Sequence, residues 1–272
     1  MLTPGQASER ELPGYTPPQP FHGGSAEFEK VTEYDRPACA FNVVRPDPCQ
    51  SWLVNGEPFP QAAPYVIVGG APPRVAPFEL GPDRKTVVYL SRYDHRMTYQ
   101  RQDETHPLTD PLAGSAVPEV TFARQNRYVA LAKNGAQIFD TKTWKTLSIP
   151  EARQVHDLNE SGIVATTPSK VLVLDHRGRE RLSLPVRTYA ENVIPDTYVL
   201  SPDGRRLVIL RNATQVETFD VGPGRRVSRA AIRGDTIVEA VLGWTEQGRL
   251  RVRDGWDVVY TLDPMTGDLR RH

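Results

Sequence analysis

Three adjacent acid–histidine pairs, Asp94-His95, His156-Asp157 and Asp175-His176, have the residue types for proton transfer. A histidine titrates near neutrality, and a carboxylate within hydrogen-bond reach can orient its ring. Adjacency works against that use within a strand, because consecutive side chains project to opposite faces. His156 falls in an alternating apolar pattern and reads as a partly buried, hydrogen-bonded core residue. His176 falls in a turn, and His22, His106 and His272 fall in a Pro-rich arm, a Pro-containing loop and the C-terminus. Four carboxylates recur after an apolar residue, at Asp140, Asp175, Asp220 and Asp263. A carboxylate ring for a ligand is one reading. A turn cap is favoured, because Asp at a strand end accepts N–H bonds from the residues that follow. Val68-Gly-Gly-Ala-Pro-Pro73 has no Lys-Ser/Thr after it and is not a phosphate loop. No Gly-x-Ser-x-Gly, His-Glu-x-x-His or calcium-type spacing occurs, so no catalytic residue, metal or cofactor is expected. Cys39 and Cys49 are a disulfide candidate, with two unpaired thiols the equal alternative; their spacing matches no metal site.

The elements that position these residues repeat. The last apolar residues before successive turns are Leu80, Phe122, Leu158, Leu200 and Trp244, spaced by 42, 36, 42 and 44 residues. Two positions earlier stand Phe78, Val120, His156, Tyr198 and Leu242, on one face of a strand. Four positions later stand Arg84, Asn126, Gly162, Gly204 and Gly248, where a tight hairpin calls for positive φ; Arg84 departs from the pattern. A second strand-like run, a second turn (Asn134-Gly135, Asp254-Gly255), a third run ending in the recurrent Asp and a short fourth run complete each unit. Thr98-Tyr99-Gln100 marks the third run of the first unit, where the pattern is degenerate. Four short antiparallel strands at a period near 40 describe a propeller blade. Five units cover residues 74–272. Residues 28–73, with runs at Phe28–Tyr34, Cys39–Val44, Ser51–Val54 and Tyr65–Val68, have room for another. The expectation is an all-β propeller of six blades over residues 28–272, with five or seven blades or a pair of β-sandwiches as alternatives. Residues 1–27, rich in Pro and Gly, are expected to be a disordered arm.

Leu200-Ser-Pro-Asp-Gly204 and Leu262-Asp-Pro-Met-Thr-Gly267 resemble motifs of bacterial WD40-like and TolB-like propellers. The likeness covers roughly residues 74–272 and is specific for fold alone; the Gly-His dipeptide of true WD40 repeats is missing, and Trp-Asp stands once, at Trp256-Asp257, without recurring from unit to unit. In such propellers, loops between second and third strands share a face with the loops joining blades, and ligands commonly meet that face. The resemblance therefore implies a ligand-binding face carrying Arg92, Tyr93, His95, Arg211, Arg253 and Trp256, with Lys133 and Lys170 nearby. That set is basic and aromatic and would focus a positive potential.

Composition bounds the function classes. Lys plus Arg and Asp plus Glu are each 33, so the formal net charge is zero, and no nucleic-acid partner is expected. No apolar run reaches about 18 residues, so no membrane-spanning helix is expected. A cytoplasmic location follows if Met1 is the true start; an extracytoplasmic one follows if a signal or anchor is missing. The expected function is a non-catalytic binding or scaffold module for a protein or an anionic cell-envelope ligand. The alternative is a propeller enzyme, a hydrolase, lyase or quinoprotein-type dehydrogenase, with an unrecognised site.

Overall fold

Alternating apolar residues between short turns give strands that pair with their sequence neighbours. The computed structural model describes residues 34–35, 52–54, 57–68, 74–187, 194–234 and 236–271. Five four-stranded antiparallel sheets follow one another, each in sequence order. Their inner strands are Phe78–Leu80, Glu119–Phe122, Gln154–Asn159, Thr197–Leu200 and Val238–Trp244. A three-stranded sheet of Tyr34–Asp35, Trp52–Val54 and Glu57–Phe59 precedes them, so the sheets are numbered blades 1 to 6. The chain is a six-bladed β-propeller. No helix among the described residues is long and apolar enough to cross a membrane.

Blade 1 departs from the four-strand expectation. Tyr65–Val66 pairs with Arg74–Val75 in a separate two-stranded sheet instead of joining it. The Cys39–Val44 run, the arm 1–27 and the Cys39–Cys49 candidate lie outside the described residues. Blade 1 packs on blade 2 through aromatic rings: Trp52 stacks on Phe78 at 4.7 Å, and Phe59 meets Tyr89 edge-on at 5.2 Å.

The interfaces of blades 2 and 3, 3 and 4, 4 and 5, and 5 and 6 each bury an apolar cluster, and the second strands of blades 2 to 5 each serve two interfaces. In Tyr128–Ala132, Val129 and Leu131 face blade 2, whereas Tyr128, Ala130 and Ala132 face blade 4. In Arg206–Arg211, Leu207 and Ile209 face blade 4, whereas Val208 and Leu210 face blade 6. A strand covered on both faces must be apolar at consecutive positions, which is why these runs lose the polar alternation of a one-sided sheet. The second strand of blade 6 keeps it. Leu250 and Val252 are buried against blade 5, and Arg251 between them is exposed.

Turn chemistry matches the repeat in most units. Arg84, Asn126, Gly204 and Gly248 have φ of 56°, 57°, 68° and 72°, so the left-handed conformation persists at Arg84 despite its side chain. Gly162 instead begins a strand. The side chains of Asp140, Asp175 and Asp263 accept backbone N–H bonds from residues two positions on, as turn caps do. Leu242 differs from its repeat equivalents: the register shifts between Val241 and Gly243, and Leu242 is 44% exposed. An extra residue in one strand turns its side chain off the expected face.

His156 also lies at a register shift, between Val155 and Asp157, yet stays mostly buried. Its Nε2 is 3.0 Å from Thr166 Oγ1, and its ring lies 4.6 Å from that of Tyr198. Burial pushes the imidazole down to about 4, against the opposing pull of Asp196. The unfolded chain therefore binds a proton that the folded chain refuses between its ordinary value and about 4. Stability should fall as pH drops through that window, by about 3 kcal/mol in all. Thermal melts of His156→Phe at pH 7 and pH 5 should differ less than those of the parent; an unchanged difference would refute this origin.

Candidate functional site

A strand at the centre of a propeller leaves one edge without a backbone ladder, and those groups need partners. Leu200 shows how they are found. Its N–H donates to Asp157 Oδ2 at 2.7 Å, and its carbonyl accepts from Asn159 Nδ2 at 3.2 Å and Trp244 Nε1 at 2.9 Å. Blades 4 and 6 thus both hold the inner strand of blade 5. Thr121 Oγ1 makes the matching bond from blade 3 to Val155 O in blade 4, at 3.0 Å. Burial raises the Asp157 carboxyl, opposed by Arg124 and by the N–H groups of Leu200 and Leu158. The Arg124 guanidinium lies 3.8 Å from Asp157. It also lies 3.3 Å from where a Cβ on Gly243, with φ of 144°, would stand. Side chains crossing between inner strands therefore occupy the axis at this end.

At the end where the inner strands begin, the molecule is concave. A cleft of about 550 Å³ is lined by Phe78, Glu79, Glu119, Thr121 and Gln154 from three inner strands, together with Arg74. A second, of about 740 Å³, lies beside blade 6. Ile194, from the connection between blades 4 and 5, lines it with Thr236 and Ile237 from the connection between blades 5 and 6. Glu239, Asp254, Trp256 and Tyr260 of blade 6 are part of the same lining. Ile194, Ile237 and Trp256 are 44%, 55% and 88% exposed, so a large apolar surface faces solvent there. Asp254 fixes the turn carrying Trp256: its Oδ1 accepts from the N–H groups of Trp256 and Val258, both at 2.9 Å, and its Oδ2 from Tyr260 Oη at 3.1 Å.

Of the six residues anticipated for a binding face, five separate into two places, and Arg211 stands apart from both on blade 5. Arg92, Tyr93 and His95 lie in the turn joining Thr86–Leu90 to Met97–Arg101 in blade 2. Tyr93 is 49% exposed, and His95 is exposed with φ of 55°. Trp256 and Arg253 belong to blade 6. No hydrogen bond, ion pair or ring contact joins the two groups among the described residues.

The expectation of an accessible loop cation at Arg211 is corrected. Arg211 ends the second strand of blade 5 instead of starting its loop, and is 6% exposed. Its guanidinium pairs with Asp196 and, through Nε at 2.8 Å, with Glu217 Oε2. Arg253 lies on the strand Leu250–Asp254, with Nη1 3.2 Å from Asp257. The blade 6 cleft itself carries carboxylates and, among the described residues, no lining cation. Reading the chain by residue type missed this, because Glu217 and Asp196 are six and fifteen positions from Arg211 and only pairing of strands brings them to it.

No family model matches the chain, and no curated protein matches it. Solved structures do. "Dihydro-heme d1 dehydrogenase NirN in complex with DHE" is 17% identical, over 74% of this chain and 47% of that one, with a TM-score of 0.47. The Myceliophteria thermophila Cps50 (Swd1) β-propeller domain is 12% identical over 75% and 72%, with a TM-score of 0.45. Kluyvelomyces marxianus Hsv2 is 11% identical over 71% and 78%, with a TM-score of 0.38. The chain thus spans less than half the length of NirN. These likenesses concern architecture and carry no argument about activity.

Burial works to raise the Glu217 carboxyl, but the Arg211 hydrogen bond and the charges of Arg211, Arg187 and Arg226 hold it below the usual range. Removing its charge strands a buried guanidinium. Glu217→Gln should therefore cost about 3 kcal/mol, read as a melting temperature lower by roughly 6–12 °C. Because the folded carboxyl is depressed, this contribution is full above the ordinary glutamate range and fades as pH falls through the folded value. The deficit of the variant should accordingly shrink in acid, and a deficit independent of pH would contradict the ion-pair account.

Proposed function

We propose that this propeller is a non-catalytic binding module whose end face takes an apolar, positively charged segment of a protein partner. The observation that carries the reading is the cleft beside blade 6. Ile194, Ile237 and the almost wholly exposed Trp256 offer apolar area that water solvates poorly. Tryptophan with a fixed backbone is a strong anchor, since it covers much area for little loss of side-chain freedom.

Charge selects the occupant. Glu239 is exposed at the cleft and Asp254 lines it too, while among the described residues the lining holds no Lys or Arg. An anionic ligand would meet those carboxylates, whereas a Lys or Arg flanked by apolar side chains would complement both features. The indole face also attracts a cation directly.

A short peptide of Leu and Arg residues, fluorescently labelled, should bind saturably in an anisotropy titration. A peptide with Glu in place of Arg should not. Trp256→Ala and Glu239→Gln should each weaken binding about tenfold or more, at an unchanged melting temperature, because both side chains are exposed. Equal binding of the Glu peptide, or full binding by Trp256→Ala, would sink the reading; preference for the Glu peptide would favour an anionic ligand instead.

A further inference from the structure

Among the described residues, the seam between blades 4 and 5 carries more guanidiniums than carboxylates to pair them. Glu217 stands on the third strand of blade 5, fully buried, and Arg211 already satisfies its Oε2. Three further guanidiniums converge on the remaining oxygen, Oε1. Arg187 Nη2 reaches it at 3.4 Å from the connection leaving blade 4. Arg226 Nη1 and Arg229 Nε reach it at 3.2 and 3.6 Å from the outer strand Arg225–Ala231. Arg229 lies directly opposite Glu217 in the strand pairing and also donates to Gln215 Oε1 at 3.1 Å.

Electrostatic accounting shows what is lacking. Among the described residues, four guanidiniums (Arg187, Arg211, Arg226, Arg229) meet two carboxylates, Glu217 and Asp196. Two positive charges are left over. One carboxylate oxygen cannot engage the donors of three forked guanidiniums, each of which carries five N–H groups. The side chains of Arg187, Arg226 and Arg229 are 43%, 46% and 49% exposed, so donors remain open to solvent. Free arginines of like charge separate in water; here Glu217 gathers them at one point on the rim.

We propose that Arg187, Arg226 and Arg229 form an anion site for a phosphate-type dianion, with Glu217 and Arg211 as the buried base that positions them. A phosphate monoester carries about −1.5 to −2 charges at neutral pH and presents several acceptor oxygens, which matches the surplus in sign and size. Guanidiniums bind such groups through paired N–H bonds, and Lys would not reproduce that geometry. A single carboxylate ligand would leave half the surplus unmet. The site is separate from the blade 6 cleft and does not depend on its reading. The phosphate can belong to a soluble ester or to a lipid headgroup.

Pyrophosphate titrated by calorimetry at constant ionic strength is the test, with inorganic phosphate as the weaker probe. The parent should bind one equivalent and melt at a higher temperature when saturated. The double variant Arg226→Gln/Arg229→Gln should bind at least tenfold more weakly, Arg226→Lys should be impaired at retained charge, and Arg177→Gln, in an exposed turn of blade 4, should match the parent. Circular dichroism melts without ligand establish that the variants are folded; if the double variant fails to fold, the Arg226→Lys and Arg187→Gln results decide. Vesicles of phosphatidylcholine with and without phosphatidic acid assign the source. Sedimentation with phosphatidic acid alone, competed by pyrophosphate, points to a headgroup, and pyrophosphate binding without sedimentation points to a soluble ester. No saturable pyrophosphate binding, or equal binding by the double variant, would overturn the site.

Discussion

The unsatisfied edge of the inner strands is the constraint on which the architecture rests. A four-stranded blade supplies ladder partners for three of its inter-strand gaps and none for the edge turned to the axis. Burying that edge bare would cost on the order of 1–3 kcal/mol per polar group. Leu200 is relieved by Asp157, Asn159 and Trp244, drawn from the blades on either side. These contacts set how far blades 4, 5 and 6 rotate relative to one another. Apolar clusters between blades then fill the wedges that the rotation leaves. The hydrophobic term is the larger, but it is non-directional. The crossing hydrogen bonds supply direction.

Much of this order was legible from residue types, because hairpin turns and period-two alternation are local properties. Leu80, Phe122, Leu200 and Trp244 end inner strands as the repeat implied, and Asp140, Asp175 and Asp263 cap turns. Thr98-Tyr99-Gln100 lies inside the third strand of blade 2 despite its degenerate pattern. Blade 1 was less legible: its strands are two or three residues long, too short for periodicity to register, and Tyr65–Val66 pairs elsewhere. Leu242 escaped because a bulge changes facing without changing composition. Arg211 looked like a loop cation because its partners arrive through strand pairing within blade 5, six and fifteen positions away, and no local pattern encodes that.

The zero net charge of the whole conceals a division between two surfaces. Beside blade 6, carboxylates accompany exposed apolar side chains, while Arg211 is buried in blade 5 against Asp196 and Glu217 and Arg253 pairs with the exposed Asp257. At the seam of blades 4 and 5, guanidiniums outnumber carboxylates. Local fields depend on such groupings and not on the sum, since exposed charges separated by more than about 8–10 Å are largely screened at physiological salt. A residue census is blind to that distinction, and strand register determines it.

The half-buried second strand of blade 6 sets a gradient of local opening along the repeat. Ala130 or Ile209 is enclosed by apolar partners in a blade whose second strand serves two interfaces, so exposing one of these strands breaks two neighbour contacts at once. Leu250 and Val252 lie on a strand whose alternate residue, Arg251, already meets water, and among the described residues opening it breaks one. In a stack whose stability is a sum of unit and neighbour terms, the unit with fewer neighbour terms opens most often. The cleft bearing Trp256 is built on that unit. The surface offered to a partner is thereby attached to a blade whose second strand is covered on one face among the described residues, and an occupant spanning Ile194 and Trp256 would add to the cohesion that Leu250 and Val252 already give blades 5 and 6.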